Sequence, residues 1–320
     1  MVPRRSPLDL GGNLVRAGHK THLELPVGRL MSGSPVALPA IVLHGRNEGP
    51  IVWLSAAIHG DEIAGTEIIR QVLGRLNPGT MSGTVIALPI VNVYGFNTDD
   101  RYLPDRRDLN RSFPGSARGS LASRIAHLLM TEIVSRSTVG IDLHTGSDKR
   151  TNLPQIRANL DDPRACKLAA AFGAPIAIHS RTRDGSLRQA ASDAGATVLL
   201  YEGGEASRFD QRAIDAGTAG VLRVLAHMEM IEELPTNGEV SPQISRRTLW
   251  SRATRSGITH LEAQLGDRVE RFQPLASIYD PYGKRLGIIR SRASGMVIGH
   301  TQHPLVNRGD AVSHVAELDG

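Results

Sequence analysis

Cysteine is nearly absent from this chain of 320 residues: Cys166 stands alone. A single thiol excludes an internal disulfide and any zinc site built on cysteines. Aromatic residues are scarce, at 4 %, so a core has to rest on isoleucine, leucine, valine and alanine. Lysine is scarce too, with four residues, and arginine supplies nearly all the basic side chains behind the formal charge of +5. The arginines are scattered, and no basic run is interleaved with aromatics, which argues against nucleic acid as a partner. No apolar run reaches membrane-spanning length. The opening MVPRRSPLDLGGN is positively charged with no apolar stretch behind it, unlike a secretory signal. These absences lead to the expectation of a cytoplasmic protein with neither a nucleic-acid nor a membrane partner. The arginine excess suits a small anionic one, and a homo-oligomer stays open.

Hydrophobic residues make up 40 % of the chain, enough for a packed core. Residues 51–58, IVWLSAAI, form a continuous apolar run, the pattern of a strand buried on both faces. Residues 61–76 then place Ile63, Ile68, Ile69, Val72, Leu73 and Leu76 at helical spacing before the stop Asn-Pro-Gly. The alternation continues: strands at 84–92, 139–146, 175–180 and 197–204, helices at 120–136, 161–172, 186–195 and 209–228. This predicts an α/β fold, with a mixed, mostly parallel sheet and helices on both faces. The pattern changes near residue 235, after which no helical periodicity survives. The expected division is residues 1–234 as an α/β unit and 235–320 as a small all-β unit. In the latter, LGDRVERFQPLASI and NRGDAVSHVAEL form a faint internal echo.

The chemistry gathers at strand ends. His59 closes the run at 51–58, and Glu62 follows three residues later in the expected first turn of a helix. A strand-to-helix turn can bring such a pair to one ion; a strand-capping histidine and a dipole-satisfying glutamate are the plainer alternative. His144 stands just past another apolar strand, with Asp142 placed to fix its tautomer. Two histidines and a glutamate would leave a fourth zinc position open, the design of a catalytic site. Glu202 follows Leu-Leu-Tyr and precedes two glycines, a costly place for an unpaired carboxylate but a useful one for a proton shuttle. In DLNRSFPG, residues 108–115, Arg111 offers a fork to a carboxylate and Asn110 a neutral donor beside it.

In this order, HGDE, DLNRSFPG, DLHTG and EGG resemble the succinylglutamate desuccinylase/aspartoacylase family, which belongs with the zinc carboxypeptidase-like hydrolases. NLPQIRANL and YEGGEASRFD resemble a bacterial branch of it, and the tail resembles that branch's barrel- or hammerhead-like C-terminal domain. The resemblance implies a zinc-dependent hydrolase of amide bonds in N-acyl amino acids or related small molecules, holding one Zn2+. It implies His59, Glu62 and His144 as zinc ligands, Glu202 as general base, and Asn110 and Arg111 as binders of the substrate carboxylate. An arginine that polarises the scissile carbonyl is also implied. Arg101, Arg106 and Arg107 compete for that role, with Arg101 preferred because it precedes a tyrosine. Arg188 matches a further substrate-binding arginine, and Tyr279 or Tyr282 is a candidate to bring a phenol to the pocket. A carboxypeptidase on short peptides and a non-catalytic metal- or ligand-binding protein are the alternatives. Lys284 reads as part of a turn, and His179, His227, His300 and His303 as packing or surface residues.

Overall fold

The computed structural model describes residues 5–147, 149–232 and 241–318. The linker expected near 235 falls within 233–240, outside the described residues. The chain begins with the antiparallel pair β1 (Leu8–Leu10) and β2 (Asn13–Val15), then β3 (His19–Arg29), β4 (Pro35–His44) and β5 (Asn47–Ala56). Helices and strands follow: α1 (Ala64–Arg75), β6 (Ser82–Leu88), α2 (Val93–Thr98), α3 (Leu121–Leu128), β7 (Val139–Gly146), β8 (Arg150–Ala158), α4 (Pro163–Phe172), β9 (Ile176–His179), α5 (Leu187–Asp193), β10 (Thr197–Glu205) and α6 (Gln211–His227). Beyond α6 the described residues form strands and no α-helix: β11 (Gln243–Ser245), β12 (Thr248–Arg252), β13 (Gly257–Leu261), β14 (Arg268–Val269), β15 (Pro274–Tyr279), β16 (Arg285–Arg290), β17 (Gly295–Thr301), β18 (Leu305–Val306) and β19 (Ala311–Glu317).

Thirteen strands share one mixed sheet, whose main path runs β12-β19-β17-β8-β10-β7-β5-β6-β4-β3. Its centre, β6-β5-β7-β10, is parallel. Outside it, β4 on β6, β3 on β4, β8 on β10 and β17 on β8 are antiparallel. The expectation of a mostly parallel sheet therefore holds for the centre and for β9 beside β8 and β11, not for the flanks. The reason is connection length. A parallel partner needs a crossover of about a dozen residues or more, and the short link 30–34 from β3 to β4 allows only an antiparallel return. A second, four-stranded sheet has the order β16-β15-β13-β18.

Every residue of β7 is buried, as expected for a central strand. Val52, Leu54 and Ala56 of β5 join one hydrophobic cluster with residues of α1, α4 and α6. Trp53, pointing the other way along the strand, joins a second with residues of α3 and α5. Gly140 is the cross-strand partner of Trp53, and a Cβ there would stand 2.0 Å from the indole ring, so this strand needs a glycine. The helix expected over 120–136 is regular only to Leu128, then widens through Leu129–Ile133 and tightens over Val134–Arg136.

Candidate metal centre and active-site pocket

The turn HGDE is built by close backbone approach. The chain leaves β5 at Ala57, whose φ of 49° is left-handed. At Gly60 a Cβ would stand 2.0 Å from the Gly95 carbonyl carbon and 2.3 Å from the Phe96 nitrogen, so only glycine lets the turn seat against α2. Glu62 lies in this turn ahead of α1 rather than inside the helix. Within β10, the EGG glycines serve a different end. The register between β10 and β8 shifts from Glu202 to Gly204, and Gly204 has a φ of 73°. Such a bulge re-aims the side chain beside it.

His59, Glu62 and His144 converge although the last is distant in sequence. His59 Nδ1 lies 2.7 Å from Glu62 Oε1, and His144 Nδ1 lies 2.7 Å from Glu62 Oε2. All three side chains are buried, and one ligand atom from each falls within 4.8 Å of the others. His144 Nε2 is held from behind, 2.9 Å from Asp142 Oδ2, whereas His59 Nε2 lies 3.3 Å from Asp108 Oδ1, within ion-pair distance but without a hydrogen bond. Ser55 donates to the other oxygen of Asp142 at 2.7 Å. Burial alone would raise Glu62, but the two imidazoles outweigh it and hold the carboxyl well below its usual range. Burial alone would lower His144, but Asp142 and Glu62 outweigh it and raise the imidazole well above its ordinary value. His59 is raised in the same way, with Glu62 and Asp108 overcoming its burial. A buried carboxylate between two imidazoles, one of them backed by Asp142, fits a divalent cation that prefers nitrogen and oxygen donors.

One cavity collects the expected site residues. His59, Glu62, Arg101, Asn110, Arg111, His144, Arg188 and Glu202 all line it. Arg101 reaches Glu62 Oε1 at 3.3 Å and Asp108 Oδ2 at 3.1 Å. Its competitors Arg106 and Arg107 are exposed and do not line the cavity. Asn110 turns its carbonyl oxygen to the Leu187 amide at 2.9 Å, which leaves its NH2 group for the pocket. Arg188 donates through Nη2 to Arg181 O at 2.8 Å and to Ser180 Oγ at 3.1 Å, while its buried Nη1 has no partner. Burial and the neighbouring Arg157 and Arg183 push Arg188 down to about 10. Tyr279 and Tyr282 do not line the cavity; Tyr282 is exposed, and Tyr279 meets His260 edge-on. Lys284 sits in the turn closed by Asp280, as its sequence suggested.

Several lining residues carried no signal in the sequence. Thr248, Trp250 and His314 reach the cavity from β12 and β19. Trp250 and His314 are cross-strand partners whose rings stack at 4.4 Å and 9°. Asn152 and Arg157 on β8 and Arg183 complete the wall near Glu202 and Arg188.

A mixed-sheet α/β protein with two histidines and a glutamate converging at the carboxyl ends of central strands is the class that fold and site define. The chain belongs to the succinylglutamate desuccinylase/aspartoacylase family, whose catalytic-domain model matches residues 48–228. A curated relative, the N-alpha-acetyl-L-2,4-diaminobutyric acid deacetylase of Halomonas elongata, is 28 % identical over 92 % of this chain and 90 % of its own. A crystal structure of a succinylglutamate desuccinylase/aspartoacylase from Rhodobacter sphaeroides superposes with a TM-score of 0.83 at 29 % identity, covering 99 % of both chains. The product-bound ectoine utilization protein EutE (DoeB) of Ruegeria pomeroyi shares the fold, with a TM-score of 0.84 at 24 % identity over 98 % of both chains. Among the described residues no helix is long and apolar enough to cross a membrane.

Proposed function

We propose that this protein is a zinc-dependent deacylase that hydrolyses the amide bond of an N-acyl amino acid or a related small N-acyl compound. The observation that carries the reading is the meeting of His59, Glu62 and His144 in one cavity with Glu202. The deacetylase activity named for the Halomonas relative supports it. We read the architecture as zinc carboxypeptidase-like, with helices on both faces of the sheet, and divide it into a catalytic unit to residue 234 and a β-rich unit from 235.

His59 and His144 would hold zinc through Nδ1, and Glu62 through its carboxylate. When bound, zinc would lower the pKa of a water molecule toward roughly 7 and polarise the carbonyl. Asp142 accepts a hydrogen bond from His144 Nε2–H, which keeps the proton on Nε2 and leaves the lone pair on Nδ1. Glu202 takes the proton from the attacking water and delivers it to the departing amine nitrogen. Arg101 donates to the carbonyl oxygen as negative charge grows there. Asn110 and Arg111 bind the substrate carboxylate, with Arg188 as a further binder. The guanidinium groups around the cavity suit an anionic substrate.

The test is a hydrolysis screen of N-acetyl and N-succinyl amino acids and N-acetyl diamino acids, with and without a chelator. Chelator-sensitive release of free acyl acid is the expected result. Glu202→Gln should retain zinc and lose about 100- to 10,000-fold in kcat, the range for a general acid–base. Zinc-loaded protein that cleaves no member of the panel would remove the deacylase reading.

A further inference from the structure

Asn152 fills a slot that none of the roles above uses. Its cross-strand neighbours on both sides are glycines, Gly204 of β10 and Gly299 of β17. Each lies beside a shift in strand register, between Glu202 and Gly204 on one side and between Val297 and Gly299 on the other. The sheet thus flanks one buried amide with two residues that have no side chain. Asn152 Nδ2 donates to Glu202 Oε2 at 2.5 Å. An ionised carboxylate only accepts, so the amide nitrogen must face Glu202 and Oδ1 must face elsewhere. A Cβ at position 299 would stand 2.8 Å from that Oδ1 and 3.3 Å from the Thr151 carbonyl oxygen. A methyl group there has to displace something, and the Asn152 amide is the most movable of its neighbours.

The donor's chemistry suits the job. A general base needs a fixed orientation and a proton affinity matched to the reaction. A cation at 152 would fix Glu202 but weaken its hold on a proton; a neutral amide orients it at smaller cost to basicity. The Arg157 guanidinium stays further off, with Nε 3.7 Å from Glu202 Oε1.

We infer that Asn152 is a positioning residue for Glu202, and that Gly299 of the C-terminal strands leaves the space in which it does so. The inference rests on Glu202 acting as the base. It gives the C-terminal region a part in catalysis beyond walling the pocket: β17 sets the orientation of the base through Asn152.

The experiment uses the full-length zinc-loaded chain on the same substrate panel, with kcat and KM separated, and crystal structures of the variants. Asn152→Ala should lower kcat about 100-fold, the cost of a misplaced catalytic group, with KM and zinc content unchanged. Its crystal structure should show the Glu202 carboxylate rotated. Gly299→Ala should act the same way, to a smaller extent. Asn152→Asp sets a second carboxylate against Glu202, so the acid limb of the kcat–pH profile should move upward. Unchanged kcat in Asn152→Ala overturns the inference. So does a loss of zinc with a matching rise in KM, which would mark a merely structural residue. If the wild-type protein cleaves no panel member, the deacylase reading falls. The crystal structure then decides the positioning: a rotated Glu202 upholds it and an unmoved one overturns it.

Discussion

At Asp142 the two carboxylate oxygens are divided between Ser55 and His144, so the side chain can neither rotate nor release the imidazole without breaking a buried hydrogen bond. Partners of this kind typically govern metal affinity by about 10- to 100-fold. Asp142→Asn should therefore weaken zinc binding by about that factor, read by competition with a chromophoric chelator, while Glu62 and His59 stay in place. His314 answers to pH instead. Burial, then the nearby Arg157 and Arg150, push it down to about 3. Between that value and the ordinary 6.5 the unfolded chain binds a proton that the native chain refuses. Stability is then fully present above pH 6.5 and falls by about 1.4 kcal/mol per unit below it. His44 and His300, also lowered by burial, act in the same direction. His59 and His144, raised instead, act the opposite way above pH 6.5, so the test is a difference: in urea unfolding at pH 7, 6 and 5, His314→Gln should lose less stability toward low pH than the wild type, and an equal loss in the variant would count against the assignment.

At the scale of elements, the turn between β5 and α1 is the sharpest constraint. All three atoms nearest a Cβ at Gly60 belong to backbone, which has no rotamer to yield. Gly60→Ala should lower stability by about 1–3 kcal/mol through overpacking and weaken zinc binding as the turn shifts. Gly74, exposed in α1 with nothing within 4 Å of its Cβ position, supplies the contrast. Gly74→Ala should raise stability by about 0.5–1 kcal/mol through helix propensity. Paired thermal melts with zinc titrations would compare the two. The β5–α1 turn, the strand bearing His144 and the strand bearing Glu202 were legible in the sequence because apolar runs end there in polar residues with no packing role. The flanking antiparallel pairings were less so, since short alternating strands do not announce their partners. The bulge at Glu202 and Gly204 left only its two glycines as a trace.

Across the whole molecule, one sheet carries His144 and Glu202, leads through β5 into the turn with His59 and Glu62, and supplies the far wall of their pocket. Trp250 and His314 could not be read as site residues, because register between distant strands, not local pattern, brings them there. Asn152 was hidden for the same reason: its meaning comes from Gly204 on one neighbour and Gly299 on the other.

That sheet also imposes a timetable on biosynthesis. The three side chains that would grip the ion are all polymerised by residue 144, whereas the last pocket residue to leave the ribosome is His314. At about 5–20 residues per second, the interval between them is about 10–30 s. During it a nascent polypeptide would have the proposed zinc ligands in hand before the cavity around them is complete. Ribosome-bound chains stalled before residue 248 should retain zinc after gel filtration yet release no acyl acid, and turnover by such chains would show that the late strands are dispensable.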